Sequence, residues 1–459
     1  MNMFVTSPNF DTYQEWREDA LRHDRIPSIQ NWIKEDSSSL YDYRVIRRRL
    51  EELKEVRASN DVQRLLFYLN EGFHGNMAGM GSAGLYQKTR QGGTKQLISD
   101  YVNEMVAALE QLESVPNSQL SKKEKRRFFR RFGDCYGRSA LMLSGAGALG
   151  PFHAGVVKVL VEHDLVPGVV SGSSAGSIIA AMLGTRKDAR DPAFWDNLDD
   201  MLNSRPTSGR ASMGQQDVLA MVKAVIPDLT FEEALAETGI NINVSVAPTK
   251  VNQRARLLNA VQSPNAYVHE AVLASCAVPG VFPPVTLAAK TFDGGREPYI
   301  GSRKWMDGSV THDLPARQLA RIYGVNHTIG SQANPAVLWA LTDPSAKDLP
   351  SQIATAWQSS VREWAKAMYP FVMDTVRDVY PMNVMTRFGF GFLTQDYTAD
   401  INIALQDQFI DPTRLLSRLT TRENQALIRS GERATWPKVE MIRNCTAVSR
   451  SLDRILARL

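Results

Sequence analysis

A serine stands at the centre of Gly172-Ser173-Ser174-Ala175-Gly176. This G-x-S-x-G spacing is what nucleophilic acyl chemistry asks of a strand-to-helix turn. The serine sits on a sharp bend, and two residues without side chains let backbone and substrate come close. The short apolar run Val169–Ser171 precedes it, and an apolar helical run, Ser177–Leu183, follows. That helix would aim its positive N-terminal end at the hydroxyl. A serine also needs a base. Asp307, in Trp305-Met306-Asp307-Gly308-Ser309, closes a short segment where a strand would meet a turn. Two schemes compete. Asp307 takes the serine proton directly, or Ser174, Asp307 and His312 form a triad in the chain order of α/β-hydrolases.

A second glycine turn lies upstream, in Gly145-Ala146-Gly147-Ala148-Leu149-Gly150. The apolar strand Ala140–Ser144 runs into it. Pro151 follows, a residue suited to a first helical turn, and His153–His163 carries Val156, Val157, Leu160 and Val161 at helical spacing. G-x-G-x-x-G also fits a dinucleotide site, which demands an acidic residue closing the next strand. Here that strand ends in Ser171-Gly172, and Asp164 lies before it, so the nucleotide reading is demoted. The alternative is an oxyanion hole made of backbone N–H groups at a helix start. A plain buried turn explains one such loop, but explains poorly two of them within Ala140–Gly184.

The combination of Gly145–Gly150, Gly172–Gly176 and Asp307-Gly308 resembles the patatin-like phospholipase family, lipid acyl hydrolases that use a Ser–Asp dyad without histidine. The likeness is nearest to the subgroup with the triacylglycerol lipases of fungal and plant oil bodies. It extends to Tyr13-x-x-Trp16, Tyr41-Asp42, Gly93-Thr94-Lys95, the Phe-rich basic run Lys125–Phe132 and Ser331–Pro335. The resemblance implies Ser174 as nucleophile, Asp307 as base, and Gly145, Ala146 and Gly147 at the oxyanion hole. It makes His312 unnecessary. The chain departs from the pattern at Leu149, where many members carry Lys or Arg, and at Ala146, where many carry Gly. Leu149 removes one contact to a charged headgroup. Asp293-Gly294-Gly295 is a rival site for the dyad aspartate. Asp307 is preferred because Asp313-Leu314-Pro315 follows it, as in the subgroup.

The elements that must hold these residues alternate between strand and helix. Asn241–Val246 alternates as a strand, Tyr267–Cys276 reads as a helix, Thr291–Gly301 as an exposed hairpin or loop, Pro315–Tyr323 as a helix and Asn326–Ile329 as a final strand. This implies an α/β fold, a three-layer α/β/α catalytic domain over 136–335. A helical N-terminal domain is expected over 1–135 and a helical region over 336–459. Within the first, Gly72–Gly93 reads as a long flexible loop that could serve as lid or linker. Lys122–Phe132 reads as a basic helix. It either docks on an anionic membrane or packs its phenylalanines on the catalytic domain with the charges in water. Trp357, Val361, Trp364, Met368, Phe371, Val372 and Val376 form an apolar stripe in 351–380, read as core packing before an acyl-chain or lid surface.

At 459 residues with 43% hydrophobic content, a large core is available; a net charge of +4 does not argue for nucleic acid, and the sequence carries no zinc spacing. Cys135, Cys276 and Cys445 are isolated and odd in number, as in reduced, intracellular proteins. No basic-then-apolar leader opens the sequence, and no stretch of about 20 apolar residues is free of charge. The expectation is a cytoplasmic or peripherally membrane-associated serine lipid acyl hydrolase that needs no metal or organic cofactor. Its partners would be an acylglycerol or phospholipid and the surface that carries it. A lysolipid acyltransferase and a non-catalytic lipid-binding protein are the alternatives.

Overall fold

The structure is a computed structural model that describes residues 10–198, 201, 214–249, 253–310, 313–334, 399–405 and 417–459. Thr311, His312 and the stripe within 351–380 lie outside the described residues. Two compact units form: Met1–Gly137 with Arg433–Leu459, and Arg138–Glu432.

Among the described residues of the larger unit, nine strands follow in chain order: β1 Arg138–Leu143, β2 Val169–Gly172, β3 Asn241–Pro248, β4 Arg256–Leu258, β5 Ala288–Lys290, β6 Arg296–Pro298, β7 Trp305–Asp307, β8 Val325–Gln332 and β9 Ile401–Ala404. The main sheet runs β4-β3-β2-β1-β8-β9, with β7 also paired to β3. Strands β3, β2, β1, β8 and β9 are parallel, whereas β4 and β7 run antiparallel to β3. Parallel neighbours need crossover helices, and Pro151–Glu162 supplies the one between β1 and β2. Both sheet faces are covered. Ala140 and Met142 of β1 pack with Leu314, Leu319 and Val325 on one face, while the alternate residues Leu141 and Leu143 are equally buried on the other. The expected last strand lies within β8, but β9 follows it. The short Ile401-Asn402-Ile403-Ala404 repeat carries too little pattern to be read as a strand, and pairing with β8 at Ile329↔Ile401 supplies what its propensity does not.

The smaller unit is helical. Thr12, Asp42, Asp61 and Ser121 accept backbone N–H groups at the starts of Tyr13–Asp24, Tyr43–Ala58, Val62–Leu69 and Lys122–Tyr136. Helix Val439–Arg458 packs on Gln96–Ser114 and on Lys122–Tyr136. Phe128, Phe129, Phe132 and Tyr136 are buried, with Phe132 and Tyr136 stacked at 6.0 Å, so the phenylalanines contribute to the core of the helical unit. Their three- and four-residue spacing puts them on one face, while Lys122, Lys123, Arg126, Arg127, Arg130 and Arg131 remain exposed.

Gly72–Gly93 is a packed connector rather than a loose loop. Its Met77, Met80, Leu85 and Tyr86 are buried, and Tyr101 donates its hydroxyl to the Met77 sulfur at 3.6 Å. Apolar residues spaced between its glycines find room in the helical core. Lys95 is fully buried. Its ammonium donates to the carbonyls of Trp32 at 2.7 Å and Glu35 at 2.8 Å and lies 4.4 Å from the Trp32 ring centroid. It thereby satisfies the carbonyls left open at the end of helix Pro27–Lys34.

Candidate active site

Ser174 follows the end of β2 and caps helix Ala175–Thr185 with φ +49° and ψ −124°. A non-glycine residue in this region is strained, and the surroundings enforce it. A Cβ on Gly172 would collide with the carbonyl of Gly176, and one on Gly176 with the carbonyls of Leu143 and Ser144. Glycine is therefore required on both sides because backbone meets backbone. The Ser174 N–H donates to Ser275 Oγ at 2.9 Å, and Ser275 Oγ donates to the Ser245 carbonyl at 2.8 Å. This relay ties the bend to helix Val268–Ser275 and to β3.

Asp307 ends β7, which β3 holds through the pair Val246↔Asp307. Its N–H donates to the Ala277 carbonyl at 3.0 Å, and its Oδ1 accepts the Ser309 N–H at 2.8 Å. The side chain is buried, and burial pushes its pKa up to about 6 against the opposing hydrogen bonds of Ser309 and Ser174. The Ser174 hydroxyl is thus within reach of this carboxyl and stabilises its charged form. Such a carboxylate remains ionised at neutral pH yet holds a proton far better than an ordinary aspartate.

The glycine loop leaves β1 beside both groups. A Cβ on Gly145 would lie 2.9 Å from the Ser309 Cβ, so the loop and the Asp307 turn touch. The Gly145 N–H already donates to Asp313 Oδ1 at 2.6 Å. Among the described residues, the N–H groups of Ala146 and Gly147 have no acceptor.

A family model for patatin-like phospholipases matches residues 141–320, and a domain of unknown function, DUF3336, matches residues 6–134. Residues 141–320 therefore carry a patatin-like phospholipase domain. Triacylglycerol lipase 4 of Saccharomyces cerevisiae is 31% identical over 97% of this chain and 52% of its own length. Triacylglycerol lipase SDP1L of Arabidopsis thaliana is 29% identical over 96% of this chain and 57% of its own. A patatin-like phospholipase domain-containing protein of Cryptococcus neoformans is 30% identical over 96% and 53%. The chain therefore spans little more than half the length of these relatives.

Within the patatin-like domain the remaining candidates sort by position. Asp293 is exposed at the turn of the β5–β6 hairpin, its carboxylate held by Gly295 N–H at 3.3 Å. His153 is fully buried, with Nε2 2.9 Å from the Ser144 carbonyl and Nδ1 2.7 Å from Ser331 Oγ. A carbonyl only accepts, so Nε2 carries the proton and Nδ1 accepts from the serine. Burial lowers its pKa to about 4, which keeps the ring neutral and makes it a brace between β1 and β8. Cys276 lies close enough to Asp307 to feel its charge, and burial raises its thiol pKa well beyond the usual range, which leaves it inert.

Asp313, Ser275 and Ser245 are the site residues that the sequence did not offer. Asp313 was visible only as part of Asp313-Leu314-Pro315. Nothing local marks it as a buried carboxyl reaching back to the loop after β1. The two serines stand in ordinary helix and strand contexts.

Proposed function

We propose that this chain is a serine lipid acyl hydrolase acting through a Ser174–Asp307 dyad. The observation that carries the reading is the strained Ser174 turn within reach of a buried carboxyl whose proton affinity is raised toward neutrality. Ser174 Oγ attacks the ester carbonyl carbon while its proton passes to Asp307. The oxyanion rests against the N–H groups of Ala146 and Gly147, with Gly145 shaping the loop through its bond to Asp313. Collapse expels the alcohol, which takes the proton from Asp307. Water, deprotonated by Asp307, then attacks the acyl-serine and releases the fatty acid. The names of the yeast and plant relatives favour a triacylglycerol as substrate.

The lipid surface is met peripherally in this reading. Among the described residues no helix is long and apolar enough to cross a membrane, and helix Lys122–Tyr136 offers a one-sided basic face suited to anionic lipid. The test is a digest of mixed acylglycerols and phospholipids by wild type and Ser174→Ala, read by mass spectrometry. Fatty acid released by wild type alone supports the reading, and the lipid consumed names the substrate. Acyl transfer to added lysophospholipid in place of release would establish an acyltransferase. An unchanged mixture together with lipid binding would establish a binding protein.

A further inference from the structure

Asp313 has no part in the dyad, yet the residue is fully buried and reaches three separate segments, two through its carboxyl and one through its backbone carbonyl. Oδ1 accepts the Gly145 N–H at 2.6 Å, a short bond to the first residue of the glycine loop. Oδ2 lies 3.4 Å from Asn334 Nδ2, just past the end of β8. Its backbone carbonyl accepts Ser173 Oγ at 3.1 Å, and Ser173 immediately precedes the proposed nucleophile. One residue therefore joins the glycine loop, the Ser174 turn and the exit of β8.

The consequence for the loop follows from peptide planarity. Gly145 is fixed on both sides: its N–H by Asp313, and its carbonyl by the Ser144 hydroxyl at 3.1 Å. Ser144 Oγ is itself held by the Ala333 N–H at 3.0 Å. In a trans peptide the N–H points opposite to the preceding carbonyl, so holding the Gly145 carbonyl toward Ser144 turns the Ala146 N–H the other way. A glycine-rich loop does not hold such an orientation unaided, because its φ and ψ are weakly restricted.

We propose that Asp313 is a positioning residue: its carboxylate clamps the Gly145 amide, so that the N–H groups of Ala146 and Gly147 are presented in a fixed direction to an oxyanion formed at Ser174. The clamp rests on the hydrolase reading above only for its purpose. The restraint on the loop is a physical claim that can be tested without substrate.

The experiment uses the full chain as wild type, Asp313→Ala, Asp313→Asn and Ser174→Ala, with circular dichroism as the check on folding. Hydrogen exchange of the peptide covering 141–150 reads the clamp. Hydrolysis of a soluble p-nitrophenyl ester reads its purpose. Asp313→Ala is expected to speed loop exchange by about tenfold or more and to lower kcat by about 10²-fold, with KM within about twofold of wild type. Asp313→Asn keeps an acceptor facing Gly145, so it should restore loop protection and bring kcat to within about tenfold of wild type. Wild-type exchange and kcat in Asp313→Ala would overturn the proposal. So would an Asp313→Asn protein as deficient as Asp313→Ala in both readouts. If Asp313→Ala does not fold, Asp313→Ser draws the acceptor back from Gly145 and carries the same expectation. Undiminished hydrolysis by Ser174→Ala would overturn the dyad, while loop exchange would still judge the clamp.

Discussion

The hydroxyl of Ser174 and the carboxyl of Asp307 come within reach of each other from opposite directions. One is delivered by the parallel strand β2, the other by β7, antiparallel to β3. In the proposed dyad Asp307 has to be ionised to accept the serine proton, so its raised pKa would set the acid limb of activity. Turnover should fall about tenfold per pH unit below about 6 and level off above it. An acid limb near pH 4, measured on a soluble ester, would mean that Asp307 is not the base.

Asp307→Asn removes the proposed base while keeping an oxygen acceptor for the Ser309 N–H. It should lower kcat by about 10²–10⁴-fold with an unchanged circular dichroism spectrum. Activity close to wild type would move the base elsewhere.

The same carboxyl has an opposite effect on stability. A folded-state pKa raised from 3.8 to about 6 means that the folded protein binds the proton more tightly than the unfolded chain does. The associated stability is present below about pH 4 and is lost as pH rises through about 6. Asp307→Asn should therefore raise the melting temperature at pH 8, by a free energy on the order of 2–3 kcal/mol, and change it little at pH 4. Asp313, pushed up to about 7 by burial and by the nearby Asp307 charge, carries the same sign. Scanning calorimetry at the two pH values measures both.

Gly176 admits no side chain, since a Cβ would collide with the Leu143 and Ser144 carbonyls, and backbone cannot yield as a flexible side chain can. Gly176→Ala should lose several kcal/mol or fail to accumulate as folded protein. Gly294, at φ +86° with nothing within 4 Å of its added Cβ, makes a useful control. Gly294→Ala should lose only about 1 kcal/mol, from backbone strain alone. Chemical denaturation compares the two.

Helix Lys122–Tyr136 separates stability from surface chemistry on its two faces. Phe129 is fully buried, and Phe129→Ala should lose about 3–5 kcal/mol. Reversing the exposed Arg126, Arg127 and Arg130 to Glu should leave stability within about 1 kcal/mol. It should also abolish flotation with vesicles containing phosphatidylserine, while hydrolysis of a soluble ester stays unchanged. Flotation equal to wild type would remove this face from the lipid surface.

The alternation of apolar strands and helices, the two glycine turns and the Asp307-Gly308 corner were legible in the sequence because each is a local pattern. Strand period, helix period and turn chemistry are written in neighbouring residues. Ser174 could be singled out for the same reason. What the sequence left open depends on residues far apart in the chain. Asp307 is buried on β7 whereas Asp293 is exposed at a hairpin turn, a difference in environment that the sequence does not show. The raised proton affinity of Asp307 exists only where water is excluded. Ile401–Ala404 becomes a strand only because β8 offers it an edge. The phenylalanines of Lys122–Tyr136 could be assigned to a buried face from their spacing, but only packing against Val439–Arg458 determined whose core they complete. Asp313 is the clearest case. Its chemical type was visible, but its desolvation and its reach to Gly145 belong to the folded sheet.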